Sequence, residues 1–393
     1  MEQLIRVGGL TFDREKSASG VYQDALRAAR SSGVRAHCLC SQSGVGMYIG
    51  LRSGTLYIAK MPGTGRQHHT SCPSFDVDGD LAGEAMDGDR IALSADFPLT
   101  RRAWPTSISL AENISVDATL PPRKLPSVPT KKTSLEGLLR LLWSQAELNR
   151  WVPRMAGKRG WGLIRHLTCR EASTISLSGI PLETRLFLPE VFRADQQEEH
   201  RERNLGELDR LLPIPDARSH REHYAIVIGI AKNYRPSKFG CKLQLKHLPE
   251  TVFYIDGRLA RCLTEKQTFE LLAIGREQLD HVLTAMLVER TEKGHFIVAD
   301  MALIRMTKEW LPVYNAHEAE LINYLVGYSR SFVRVADTRA VNAPAPVVYL
   351  TDTGDSATPL FIDTQHGTPL LSDKWRWCPS LSRVSSIPLP EIA

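Results

Sequence analysis

The stretch GRQHHTSCPSF, residues 65–75, packs two histidines and a cysteine into five positions and follows the cysteine with proline. Upstream, HCLC at residues 37–40 adds two more cysteines. These groups can be metal ligands, a thiol active site, or a polar loop that happens to hold a cysteine. The residues between them help to decide. GMYIGL (46–51) and TLYIAK (55–60) read as two strands around Ser53-Gly54, a hairpin signal. Continued outward in register, that hairpin sets Cys38 opposite His69 and Cys40 opposite Gln67, beside His68. Pro62 and Gly63 interrupt the second arm, yet a hairpin of this length would gather CLC and HHTSC at its open end.

Thiolates and an imidazole on paired loops suit a closed tetrahedral zinc site, and zinc is the expected cofactor. The favoured ligands are Cys38, Cys40, His68 and Cys72. His68 gives an H-x3-C spacing; His69, at H-x2-C, stays open as the alternative. His37 is the weaker candidate, because its neighbour Cys38 would use the same approach. Four protein ligands leave no position for substrate, so the zinc would be structural. The C-x-C spacing is less usual than a C-x-x-C knuckle, and buried thiols beside a histidine-bearing surface loop are the plain alternative. Thiol catalysis lacks a lone nucleophile with an orienting base and a third group.

Composition narrows the class. The chain has 393 residues, 42% hydrophobic and 24% charged, which suits a soluble globular protein of more than one domain. The longest apolar run, YAIVIGIA at 224–231, falls far below the roughly 20 residues that span a bilayer. No membrane association is expected, and the first residues lack the apolar core of a signal peptide. Seven cysteines, an odd number, point to a reducing cytoplasm rather than a disulfide framework. Cys169, Cys241, Cys262 and Cys378 stand alone and read as small apolar residues.

The net charge of +5 is unevenly spread. Residues 118–175 hold eleven Lys/Arg against three Asp/Glu, whereas 76–90 hold six acids against one base. DATLPPRKLPSVPTKKT, residues 117–133, is a proline-rich spacer. Beyond it, TSLEGLLRLLWSQAELNRWV starts with a Thr133–Glu136 capping-box spacing and has helical periodicity; a second helix is expected over 161–172. The pair fits a helix-turn-helix, a winged helix or any small helical bundle. From residue 223 the pattern turns to strands: YAIVIGIAKNY, KLQLKH, TVFYID, HVLTAMLVER and HFIVADMALIRM, with one helix near 264–274. Turns are expected at 235–237, 248–249 and 293–294. The expected fold class is therefore α+β and multidomain. A Cys/His zinc-binding hairpin domain (1–116) and linker (117–133) precede a basic helical domain (134–215) and a β-rich α+β region (216–393).

CLCSQSGVGMYIG, YIAKMPGTGRQHHTSCPSF and LLRLLWSQAELNRWVPRMAGKRGW resemble a bacterial family of uncharacterised proteins, domain of unknown function 1173. The resemblance runs over most of the chain, and MPGTG with the His/Cys segment is its most specific part. It implies a setting in integrative and conjugative elements rather than a reaction. In the family pattern, a histidine three residues before CP corresponds to His68.

The basic block suggests contact with DNA or RNA. Lys158, Arg159, Arg165 and Arg170 lie at or beyond the inter-helix turn, and Trp143, Trp151 and Trp161 nearby could stack on bases or fill a core. The acidic stretch 76–87 has calcium-loop spacing at first but Leu81 where glycine is needed, so a solvated loop is expected. In the tail, Glu318, Asp352 and Asp363 follow the order of a PD-(D/E)xK nuclease. Val347 replaces the first aspartate of that motif, and no lysine lies two residues after Asp363, so a nuclease-like end would be degenerate. No phosphate-loop, H-E-x-x-H or G-x-S-x-G motif is present. The resulting expectation is a non-enzymatic, zinc-stabilised nucleic-acid-binding or accessory protein. A metal-dependent nuclease and a protein-interaction scaffold are the alternatives, and the oligomeric state is not legible.

Overall fold

The computed structural model describes residues 4–14, 19–52, 54–61, 63–76, 85–87, 90–102, 132–215, 221–276, 280–335, 345–354, 356–362, 375–379, 382–384, 387 and 389–392. The hairpin is present in the expected register, β4 (Val45–Arg52) against β5 (Thr55–Lys60), with Met47 facing Lys60. Residues 36–38 do not continue its first arm. They form a separate strand, β3 (Ala36–Cys38), which folds back so that Cys38 faces Val45. With β1 (Leu4–Val7) and β2 (Leu10–Asp13) this makes a five-stranded sheet ordered β2-β1-β3-β4-β5. Helix α1 (Gly20–Ser31) packs on it through Tyr22, Leu26 and Ala29, and Ser19 caps its start by accepting from the Tyr22 amide.

Helix α2 (Leu135–Gln145) is capped by Ser134, whose hydroxyl accepts from the Gly137 amide, one residue later than the expected Thr133. Thr133 instead ends a short strand beside Ser94-Ala95. Eight of the eleven α2 residues are buried, so it is an interior helix rather than part of a free helical unit. Helix α3 (Trp161–Ala172) occupies its expected span.

All five expected C-terminal strands form, and they close on one another. They are Ala225–Ser237, Gly240–Leu245, Leu248–Asp256, Asp280–Arg290 and Phe296–Thr307, here strands one to five. One pairs with two and two with three; three runs parallel to five, five pairs with four, and four returns to one. The helical segments Gly257–Lys266 and Thr268–Leu271 lie between strands three and four. This 1-2-3-5-4-1 closed barrel has the Greek-key order of an OB-type barrel. Strand one is long enough to serve both halves: Ala225–Ile230 pair with strand four and Ala231–Ser237 with strand two, around a register shift at Ala231/Asn233. Gly229 stands where a Cβ would come within 2.7 Å of Leu245 Cδ1, which lets strand one pass close across the interior.

The turn at Lys293-Gly294 is in place, and the other two fall slightly off their expected positions. Strand one runs through Arg235-Pro236-Ser237 and turns at Lys238-Phe239, while Leu248-Pro249 already belong to strand three. Alternate residues such as Val227, Leu243, Phe253, Met286 and Val298 fill the barrel interior. On the outside, Ile226, Ile228, Leu283, Ala285, Leu287 and Ile304 pack with the α2 leucines and with Trp143 and Trp161. The covering helices thus shield strands one, four and five. Strands two and three instead alternate buried and accessible residues, as sheets with one wet face do.

Core and pairing cross the expected boundaries at 116 and 215. Ile175–Leu177 pairs with Ile91–Leu93, His223 with Thr100, and one hydrophobic cluster joins Ile91 to Tyr314. The three tryptophans are core residues, at 3%, 1% and 5% exposure for Trp143, Trp151 and Trp161. A further five-stranded sheet joins Arg150-Trp151 to Phe332–Arg334, Val348–Leu350, Thr358–Ile362 and Arg376-Trp377. Residues 117–131 lie outside the described residues.

Because α2 and the barrel share one core, Leu142→Ala should cost about 2–5 kcal/mol. Urea denaturation followed by amide exchange checks this: protection in strands four and five should fall together with that of α2.

Candidate metal centre

Four side chains meet at the end of the central strand of the N-terminal sheet. Cys38 ends β3, Cys40 follows two residues later, and His68 and Cys72 come from the loop after β5. Their ligand atoms all lie within 4.8 Å of one another. Cys38 Sγ is 3.7 Å from Cys72 Sγ, while His68 Nδ1 is 3.3 Å from Cys40 Sγ and 3.7 Å from Cys72 Sγ. These separations are the edges of a small tetrahedron, and the group could hold a metal ion. It is the one cluster of this kind among the described residues.

The loop chemistry explains which histidine turns inward. Gly65–Gln67 makes a single 3-10 turn, and the His68 amide donates to the Gly65 carbonyl, pointing the imidazole at the cysteines. Gly65 is required there: a Cβ would stand 2.5 Å from Asp76 Cβ and 2.6 Å from its carbonyl oxygen. His68 is 3% exposed. His69 turns outward and shares a hydrogen bond with Ser71, but its amide donates to Cys40 Sγ at 3.3 Å. His37 lies in the middle of β3, opposite Arg6 and Gly46, and is not part of the cluster.

Packing thiols together without a cation shifts their titration. The hydrogen bond shared with Cys38, together with burial, pushes the Cys72 thiol up to about 12. Burial raises Cys40, whereas the bond from Cys72 lowers Cys38. Burial opposes ionisation of all three thiols, a cost that a bound cation would offset.

Two contacts fasten this corner to the rest of the molecule. Arg150 donates to the carbonyls of Cys72 (2.6 Å) and Thr70 (3.2 Å), clamping the loop. Asp76 is buried between Lys60, Ser144 and Asn149, tying the end of the loop to the end of α2. Asp76 therefore does not belong to a solvated acidic loop; the rest of that stretch lies outside the described residues except Ala85–Asp87. Beside the loop is a cavity of about 220 Å³ whose lining includes Arg14, Arg52, Lys60, Arg150, Arg170 and Glu147. Sequence reading singled out neither Lys60 nor Arg150, and placed Asp76 in a solvated acidic loop.

The four basic residues expected to meet nucleic acid have separate roles. Arg159 donates to the carbonyls of Leu148 (2.9 Å), Glu309 (3.4 Å) and Arg150, and burial holds its guanidinium down to about 10. It is an internal strut. Arg165 donates to the Leu188 carbonyl at 2.9 Å. Arg170 pairs with the buried Glu171, which also binds Arg52. Only Lys158 of the four stands on the surface with no partner among the described residues.

In the tail, the Glu318 carboxylate accepts from the Tyr314 amide and pairs with the fully buried Arg334. Asp352 accepts two bonds from Arg330 and one from the Ser331 amide. Both carboxylates are engaged by arginine, and Asp363 lies outside the described residues.

Residues 6–372 match the model of a family described as a protein of unknown function, DUF1173. The chain belongs to this family. No curated protein and no solved structure matches it. The matched span takes in the Cys/His tetrad, α2, α3 and the whole barrel, so these are parts of one family unit. No described helix is long and apolar enough to cross a membrane.

Burial alone would raise the Asp352 carboxyl, but Arg330 and the Ser331 amide hold it below the usual aspartate value. Its stabilising contribution is complete above the unfolded value near 4 and disappears as pH falls through the lower folded value. Thermal melts across an acid series should show this limb in wild type and a flatter one in Asp352→Asn.

Proposed function

We propose that this protein binds nucleic acid through its barrel and that a structural zinc ion fills the Cys/His tetrad. The observation that carries the reading is the closed 1-2-3-5-4-1 barrel with its helix between strands three and four. Barrels of this order bind oligonucleotides and oligosaccharides across strands two and three. The step from barrel to ligand is an argument from architecture. Excess positive charge, +5 overall, favours the polyanionic ligand of the two.

Zinc is supported by the tetrad's dimensions. With Zn–S near 2.3 Å and Zn–N near 2.0 Å, a tetrahedron has S···S edges of about 3.8 Å and S···N edges of about 3.5 Å. The separations here are 3.7, 3.3 and 3.7 Å. Three thiolates also select a borderline-soft cation over magnesium or calcium and fit a reducing compartment such as the cytoplasm. With four protein ligands, the metal's part is to lock the loop that Arg150 and Asp76 fasten to α2, and through α2 to hold the barrel's cover in place. An accessory role at a bacterial mobile element, where strands are exposed during transfer, is consistent with such an activity.

Mass spectrometry on protein purified without added metal should find about one zinc per chain. The zinc should be lost in Cys40→Ser and His68→Ala and kept in His69→Ala. For binding, fluorescence anisotropy with labelled single-stranded and duplex oligonucleotides across a salt series should give affinity that falls linearly on a log–log plot, its slope counting phosphates. No binding to either at low salt would end the nucleic-acid reading.

A further inference from the structure

The barrel's uncovered face has a chemistry that the basic helical block lacks. We infer that it is a platform for one unpaired nucleic-acid strand, with bases stacked on Phe239 and Tyr254 and the backbone held by Arg235, Lys238 and Lys242. This rests on the reading that the barrel binds nucleic acid, and it specifies the strand type and the contacts.

Register places the groups. Arg235 faces Lys242 across strands one and two, and Lys242 faces Tyr254 across strands two and three. Directly opposed side chains share a face, so the three form one row across the outside of the barrel. Their neighbours Leu243, Phe253 and Ile255 point inward and are at most 2% exposed. The Lys242 ammonium lies 5.4 Å from the Tyr254 ring centroid, and His295, just before strand five, meets the same ring edge-on at 5.5 Å. At the turn between strands one and two, Phe239 is 80% exposed, with the Lys238 ammonium 5.2 Å from its ring. A large aromatic held out to solvent at a hairpin tip, flanked by cations, offers a face on which a base can stack.

Charge is consistent along this surface. Residues 231–247 contain five Lys/Arg and no Asp/Glu. Two flanking acids are engaged: Asp256 caps the next helix through the Leu259 amide, and Glu250 pairs with Arg201. A duplex conceals the faces of its bases, whereas a single strand offers them, and stacking on aromatics tolerates any sequence. The exposed Phe239 ring and the half-exposed Tyr254 ring, beside Arg235, Lys238 and Lys242, therefore select the single strand.

The test uses full-length protein with fluorescein-labelled oligo-dT and oligo-U of about 16 nucleotides, the upper range of one such barrel's footprint, and a duplex of equal length. Single strands of either sugar should bind more tightly than the duplex. Phe239→Ala and Tyr254→Ala should each weaken single-strand binding about tenfold. Lys242→Ala should lower the log–log salt slope by about 0.7. Phe239 and Lys242 are surface residues, so a melting curve unchanged from wild type controls for folding. Wild-type affinity retained in Phe239→Ala/Lys242→Ala/Tyr254→Ala would overturn this inference while leaving nucleic-acid binding itself intact at another surface. Tighter binding of duplex would overturn the single-strand assignment. Failure of wild type to bind any probe would remove the underlying reading as well.

Discussion

Two neighbouring residues of α2 reach in different directions. The Trp143 indole donates to the carbonyl of Trp310, beyond the last barrel strand, and the Ser144 hydroxyl donates to Asp76 at the end of the cysteine loop. A helix buried on most of its circumference must satisfy its polar groups through such specific partners, because water cannot. Asp76 is the costliest of them. Its carboxylate is out of water and is tolerable only while Lys60, Ser144 and Asn149 surround it. That requirement fixes where the N-terminal sheet sits, and the same sheet carries the four metal-ligand candidates.

The secondary structure was largely legible because it is local. The β-branched and aromatic residues of TLYIAK and TVFYID, and the helical spacing of leucines over 135–142, match the observed elements closely. The Cys/His cluster was legible as well, since few chains bring three cysteines and a histidine to within one hairpin's reach. The path that assembles it was not. Two-residue turns announce themselves, but nothing in SQSGVG at 41–46 declares that β3 folds back beside β4 instead of extending it. Barrel closure was equally hidden, because the parallel pairing of Phe253–Ile255 with Phe296–Val298 joins segments across two intervening helices and a strand. Composition along a window reports none of that.

Charge counted by segment does not report where each side chain sits. Arg140, Arg150 and Arg159 of the basic block are buried or half-buried and bonded to carboxylates or backbone carbonyls, so part of that block is internal scaffolding. Arginine suits this work because its guanidinium offers five donors in a rigid plane and stays charged when partly buried. The barrel's outer face shows a different pattern, an absence of acids over residues 231–247 together with strand periodicity. Lysine predominates there, and a lysine on a strand's outer face has few carbonyls to satisfy it and remains in solvent.

The sheet that carries the cysteines is finished by residues from the far end of the chain. Its core cluster includes Val333 and Val335, with Tyr349 and Ala357 packed against it. On the ribosome, β1 to β5 therefore emerge long before the side chains that complete their apolar face. The hairpin and its thiols must wait through synthesis of the barrel with that face incomplete, and long-range closure of this kind is slow and prone to aggregation. A chain cut short after the barrel would leave this first sheet without its last layer, so quality control acting on such fragments would meet exposed apolar surface at the N-terminal end.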